Sequence, residues 1–296
     1  MSTRGKIIAL TDHAPATESL PLPVMERLGA AIGQVGSTAF PALLADVCKV
    51  ASGFESAFVC AFFPDHAPVA LFDDLRGSES AILAPYLSWA YLLDPLHGLY
   101  REGGADCAAM LADIAPDDFR SSEYFRRFYA ATGLDGECGV ILRDPDGAAI
   151  VISLGVRNGS SALPRAAHRL RALLPVLGAL TRRQWPGLSP GTATGIGRVG
   201  GHVERAFALF GTSRLSEREA EVARLIVKGH SNKSIARLLG NSPETVKVHR
   251  KRIHAKLGIT SAGGLFSLFM AALSATPPGA ATDPLTFLPD GFRPAT

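Results

Sequence analysis

The stretch LSEREAEVARLIVKGHSNKSIARLLGNSPETVKVHRKRIHAKLGI, residues Leu215–Ile259, decides how this chain is read. Ser216 followed three residues later by Glu219 has the form of a capping box. In that motif each side chain satisfies an N–H that the helix start leaves unpaired. Val222, Leu225 and Ile226 supply an apolar stripe. Lys228-Gly229 closes the helix, with a cation in the last turn and a glycine just past it. Ser231 is a second N-cap, and Ile235, Ala236, Leu238 and Leu239 are expected to form the buried face of a short second helix ended by Gly240. Ser242 caps a third helix, with Pro243 at its first position, where a missing N–H costs nothing.

The third helix has two faces. Val246, Ile253 and Leu257 fall at i, i+7 and i+11 and point to the core. Lys247, Val248, Arg250, Lys251 and Arg252 point largely away. A helix about 12 Å across fits the major groove, where such side chains reach phosphates and base edges. Each phosphate neutralised adds about −0.9 to the salt slope of log K, so several such contacts make binding steeply salt-dependent.

Working outward, charge is unevenly spread. The formal net charge of the 296 residues is +3. Arg214–Leu257 holds eleven Lys/Arg against four acids, a net of +7, which leaves −4 for everything else. A basic block on a mildly acidic remainder suggests one nucleic-acid-binding domain beside a domain with another task. No stretch reaches the roughly 18 uninterrupted apolar residues of a spanning helix, and the run Ile7–Leu10 is too short for a signal peptide. A cytoplasmic protein without a membrane partner is expected. Cys48, Cys60, Cys107 and Cys138 are scattered, with no paired spacing, and read as reduced thiols.

Leu215-Ser-Glu-Arg-Glu219, Gly229-x-Ser231-Asn232-Lys233-x-Ile235-Ala236, Thr245-Val246-Lys247-x-His249 and Lys256-Leu257-Gly258 together resemble the LuxR/NarL-type helix-turn-helix of transcriptional regulators. The resemblance covers about sixty residues. It implies that Asn232, Lys233 and Thr245 contact phosphates and that Lys247, Val248 and Lys251 face the bases; Arg250 is added to the expected DNA-binding residues by its place on the outward face. The resemblance also implies a fourth, dimerising helix, for which Gly264–Leu273 is suited by Leu265, Phe266, Leu268, Phe269 and Leu273. The family usually carries a basic or polar cluster before that helix. Here Ser261-Ala-Gly-Gly264 stands instead, which predicts a looser helix start. The DNA-reading domain of a sigma factor has a similar three-helix pattern but lacks the Lys-Leu-Gly and the apolar fourth helix.

The remainder divides by composition. A flexible tail is expected over 1–20, a sensor-like domain over 21–185, a linker over 186–210, the helix-turn-helix over 211–274 and an irregular Pro-rich tail over 275–296. Within 21–185 helices are predicted at Met25–Val35, Pro41–Ser52, Ser78–Leu93, Leu96–Glu102, Ser121–Thr132 and Pro164–Gln184. Strands are predicted at Ser56–Phe63, Val69–Phe72, Cys138–Arg143 and Ala148–Val156, the last two joined by the turn Asp144-Pro-Asp-Gly147. Helices flanking an antiparallel sheet make an α+β class.

A receiver domain is not indicated, because the acidic pairs Asp73-Asp74 and Asp117-Asp118 do not fall in its pattern. Tyr86-Leu-Ser-Trp-Ala-Tyr-Leu-Leu-Asp-Pro95, with Tyr124–Leu134 and the hairpin, is loosely similar to acyl-homoserine-lactone-binding domains; the GAF/PAS-like class fits equally. The first resemblance implies ligand contacts from Tyr86, Trp89, Tyr91 and Asp94. Read by themselves, Trp89 and Tyr91 are core residues and Asp94 is an N-cap before Pro95. His66, His97 and His168 show no metal spacing, and no catalytic arrangement, metal site or cofactor motif is found. The expected protein is a ligand-responsive, dimeric DNA-binding regulator and not an enzyme. The alternatives are an N-terminal domain that only dimerises or binds a protein partner, or one that is an enzyme tethered to DNA.

Overall fold

The computed structural model describes residues 20–157, 163–191, 201–289 and 291–292. Apart from residue 20, the expected N-terminal tail lies outside them, as does 192–200 of the expected linker. The chain forms two compact units: Pro21–Ala115 with Phe125–Glu204, and Pro116–Tyr124 with the described residues from Arg205 onward.

The first unit is α+β. Helices α1 (Leu22–Gly33) and α2 (Phe40–Ser52) lead into strands β1 (Ser56–Phe62) and β2 (Val69–Asp73). After α3 (Pro95–Arg101) come β3 (Cys107–Met110), β4 (Gly136–Arg143), β5 (Ala149–Val156) and the long helix α4 (Leu163–Gln184). The sheet is antiparallel in the order β2-β1-β5-β4-β3. β4 and β5 are a hairpin running from Gly136↔Val156 to Arg143↔Ala149, and its turn closes with Asp144 N–H on the Ala148 carbonyl at 2.8 Å.

Every residue of β1 is buried. A strand sealed on both faces loses polar alternation, which is why its sequence reads as a continuous apolar run. Phe58, Cys60, Phe62, Ile141, Ala149 and Val151 build one core with Leu87, Leu99 and Tyr100. The alternate positions face α2 and α4, both packed on the sheet. Gly139 is required by close approach: a Cβ there would lie 2.0 Å from Leu96 Cδ2.

Three expectations for the stretch 78–132 needed correction. The helix predicted over Ser78–Leu93 is broken into Ser78–Ala81, Leu83–Ser88 and a 3-10 turn at Ala90–Leu93. Pro85, which has no N–H to donate, sits in the first turn of the middle piece, and Trp89 leaves the helical region at φ −161°. The helix predicted over Ser121–Thr132 is also interrupted. Ser122 is extended at ψ 155°, and Phe125–Tyr129 is a π-type turn before Ala130–Thr132. β3 escaped the sequence reading because Cys-Ala-Ala-Met is too short and small to alternate; only its pairing with β4 defines it.

The second unit is helical: α5 (Gly201–Leu209, counted here from Arg205), α6 (Glu217–Val227), α7 (Asn232–Leu239), α8 (Pro243–Leu257) and α9 (Ala262–Ala275). Each of α6 to α9 begins with a serine whose side chain accepts the N–H three residues on: Ser216, Ser231, Ser242 and Ser261. Ser261 thus gives α9 the firm start that its glycines seemed to deny it. In α7 the buried face is Ser234, Ile235 and Ala236; contrary to expectation Leu238 is 46 % exposed and Leu239 only half-buried, because eight residues present only a narrow stripe to the core.

The region beyond Thr276 is not irregular throughout. Pro284–Phe287 forms a 3-10 turn against α9. Asp283, 5 % exposed, caps it and binds the α5–α6 connection, with Oδ1 accepting from Leu285 N–H and Gly211 N–H and Oδ2 from Ser213 N–H and its hydroxyl. Leu285 is fully buried, and Phe207 and Phe210 meet Phe269 edge-on at 5.3 Å. The large apolar side chains of α9 are therefore covered within the chain. Replacing Asp283 by Ala strands several buried donors, so thermal or urea unfolding of Asp283→Ala should report a loss of about 2–4 kcal/mol.

Candidate nucleic-acid interface

The core of the second unit fixes α8 as a rod with one buried edge. Val246 and Ile253 are fully buried and Leu257 nearly so. Ser242 Oγ accepts Thr245 N–H at 3.0 Å, Pro243 fills the first position, and Gly258 ends the helix at φ +66°. With the start, end and rotation of the helix set, the remaining side chains have no choice of direction. Lys247, Val248 and Lys251 are exposed, and Val248 leaves 49 % of its surface open. An exposed valine flanked by lysines presents apolar surface between two cations. Lys247 Nζ is 3.7 Å from Glu244, one turn back, with both ends open to solvent.

α7 starts beside this face. Lys233 is exposed and Thr245 exposed, while Asn232 and Arg250 are half-buried and meet: Arg250 Nη1 donates to Asn232 Oδ1 at 2.9 Å. Arg250 is thus a brace between α7 and α8 as well as a cation. All seven residues singled out for DNA contact fall on α7 and α8.

Glu219 holds α6 to α8. Its Oε2 accepts Ser216 N–H at 2.9 Å and Lys256 Nζ at 2.6 Å, while its own N–H is capped by Ser216 Oγ. The Lys256 hydrogen bond, more than anything else, holds this carboxyl below its ordinary value. The capping box was legible in sequence; Lys256, thirty-seven residues away, was not. Arg218 adds a second tie, donating to Glu221 and to the Leu239 carbonyl. His230 packs in the α6–α7 turn with Nδ1 3.0 Å from Ser234 Oγ. Burial first, and the neighbouring Lys228 charge second, push its pKa down to about 4.

In the first unit the four candidate ligand residues have separate environments. Tyr86 Oη donates to Asp94 Oδ2 at 2.6 Å, and Asp94 Oδ1 accepts Leu96 N–H at 2.8 Å, capping α3. Burial raises the Asp94 carboxyl, against the pull of the Tyr86 and Leu96 hydrogen bonds. Trp89 lies edge-on to Phe128 at 4.6 Å. Tyr91 is fully buried and its hydroxyl has no hydrogen-bond partner among the described residues. His97, which in the sequence shows no metal spacing, stands with its Nε2 3.5 Å from Glu204 Oε1, a pairing hidden from the sequence because it spans more than a hundred residues. Among the described residues no group of His, Cys, Asp or Glu is placed to hold a metal ion, and no single helix is long and apolar enough to cross a membrane.

Residues 213–268 match the family described as "Bacterial regulatory proteins, luxR family". The chain is 37 % identical over 163 residues to a putative HTH-type transcriptional regulator of Aeromonas salmonicida, covering 53 % of this chain and 83 % of that one. It is 48 % identical over 60 residues to the transcriptional regulatory protein TdiR of Thauera aromatica, covering 20 % of this chain and 26 % of that one. Among solved structures, the LBD domain of VqsR from Pseudomonas aeruginosa aligns with a TM-score of 0.47 at 20 % identity, over 55 % of this chain and 97 % of that one.

His230 and Glu219 are two of the acid-sensitive groups that shape the pH dependence of this unit. His230 has a folded value below its ordinary 6.5, so stability is full above 6.5 and falls as the pH drops towards about 4. Glu219 is likewise depressed, so its contribution is present above its ordinary 4.5 and lost below it. Circular-dichroism melts of the full chain should show a falling Tm from pH 6.5 to 4. Glu219→Gln should lower Tm at neutral pH and flatten the part of the curve below pH 4.5; a parallel, unshifted curve would contradict the assignment.

Proposed function

This chain belongs to the LuxR family of bacterial regulatory proteins and is a DNA-binding transcriptional regulator, and from that premise we propose how its residues divide the work. α8 enters the major groove with Lys247, Val248 and Lys251 towards base edges. Asn232, Lys233 and Thr245 meet backbone phosphates on either side. Arg250 shares its charge between the backbone and Asn232. The observation that carries this reading is the rotation of α8: Val246, Ile253 and Leu257 are sunk in the core while Lys247, Val248 and Lys251 stand in solvent. Binding two half-sites asks for a homodimer. The face of α9 left partly open carries the small residues Gly263, Ser267, Ala271 and Ser274, which allow close helix approach, beside Met270. The work is done in the cytoplasm, where the DNA is, and needs no catalysis.

The first unit carries the signal. A small-molecule effector is the reading we favour, with its polar head group at the Tyr86–Asp94 pair and its apolar part towards Trp89. The pair's short hydrogen bond brings together two of the candidates inside an otherwise apolar neighbourhood. A specific observation supports the second reading, a domain that only dimerises or binds a protein partner: both Asp94 oxygens are already spent, one of them on a helix cap.

Two experiments test these roles. Lys247→Ala with Lys251→Ala should weaken binding to promoter duplex by about a hundredfold, at one to three kcal/mol for each lost contact, and reduce the salt slope. Unchanged affinity at moderate salt would remove the groove assignment. Native mass spectrometry of the purified protein should reveal a co-purifying small molecule that Tyr86→Phe releases. A ligand-free mass, with no shift in Tm on adding bacterial lipid extracts, would favour the second reading.

A further inference from the structure

Pro116–Tyr124 lies in the middle of the sensor-like sequence, yet it is part of the same compact unit as the helix-turn-helix. Asp117 stands at the start of α7. Its Oδ1 accepts Ser231 N–H at 3.0 Å and its Oδ2 accepts the Ser231 hydroxyl. Phe119 and Ser122 press on the α6–α7 turn so closely that a Cβ on Gly229 would meet Ser122 Cβ at 3.0 Å and Phe119 Cα at 3.4 Å. Asp118 is near enough to Arg250 for the two charges to act on each other. Glu123 Oε1 is 3.4 Å from where a Cβ on Gly263 would stand, at the start of α9. Asp117 and Glu123 of one short segment are thus laid against the starts of α7 and α9, with the charge of Asp118 within reach of Arg250.

The first turn of a helix offers free N–H groups and the positive end of the helix dipole, which take a carboxylate or a phosphate oxygen alike. Ser231 is followed at once by Asn232 and Lys233, the residues assigned to DNA phosphates. Partial burial disfavours the Asp117 charge, but the two hydrogen bonds from Ser231 outweigh it and hold the carboxyl below its ordinary value, so it is anionic at neutral pH.

We propose that Asp117 is an internal competitor for DNA. It occupies the α7 N-terminus in place of a backbone phosphate, and the segment 116–123 must let go of Ser231 before the module seats fully on a duplex. This rests on the reading that the start of α7 faces the DNA backbone. The contact differs from a structural tie in one consequence: removing it strengthens DNA binding.

The test uses the full chain and a fluorescent 40-base-pair duplex of randomised sequence, followed by anisotropy over a series of salt concentrations. Asp117→Ala should bind about tenfold more tightly than the parent and steepen the salt slope by about one phosphate contact. Asp117→Asn, which keeps the shape and loses the charge, should fall between them and carries the test if the alanine variant folds poorly. Asp113→Asn removes the same charge four residues earlier and should change affinity by less than about twofold, the general field effect alone. Equal affinity for Asp117→Ala and the parent, or an equal gain from Asp113→Asn, overturns the competition while leaving the groove assignment intact. If neither parent nor variant binds duplex at low salt, the DNA reading falls and the competition with it.

Discussion

The second unit depends on one carboxylate. Glu219 answers the N–H of Ser216 at the start of α6 and the ammonium of Lys256 near the end of α8. It is 3 % exposed, so its charge has little access to water and must be met by donors within the chain. Through it α6 is tied to α8, whose rotation sinks Val246 and Ile253 and leaves Lys247 and Lys251 outside. The exposed basic face of α8 lies on a helix that is tied down where a buried acid finds its donors.

A second device recurs on a local scale. Four helices begin with a serine cap, and two other turns begin with Asp-Pro-Leu, at Asp94 and at Asp283. In both Asp-Pro-Leu turns Oδ1 takes the leucine N–H, and the second oxygen is free to reach across the fold. Asp94 uses it for the Tyr86 hydroxyl and Asp283 for Ser213. A cap supplies the aspartate's position; what its spare oxygen binds depends on which segment the fold brings opposite. The same holds for Ser231, which caps α7 with its oxygen while its own N–H and O–H remain to be met by Asp117.

Legibility followed the range of the interaction. The limits of α6, α7 and α8 and the inward residues of α8 could be read because caps act over three residues and helical faces repeat every three or four. β4 and β5 could be read because their turn is local. The breaks in 78–93 and 121–132 were not legible in the apolar spacing, which favours a helix there; Pro85 is a local signal for the first, whereas no residue type marks the departures at Trp89 and Ser122. Nor was β3 legible, whose small residues carry no pattern until β4 pairs with them. Leu238 shows the opposite error: a pattern was present, and the helix was too short to use all of it.

By itself, the sequence determined the elements of the DNA-binding module, its caps and its basic face, because each rests on residues within one or two helical turns of one another. Tertiary structure alone decided the partners that lie far apart in the chain: Lys256 for Glu219, Asn232 for Arg250, Asp283 for Ser213 and Asp117 for Ser231. A side chain's chemistry states that it needs a partner. Which partner it finds is set by the path of the backbone between them, and no local pattern encodes that path.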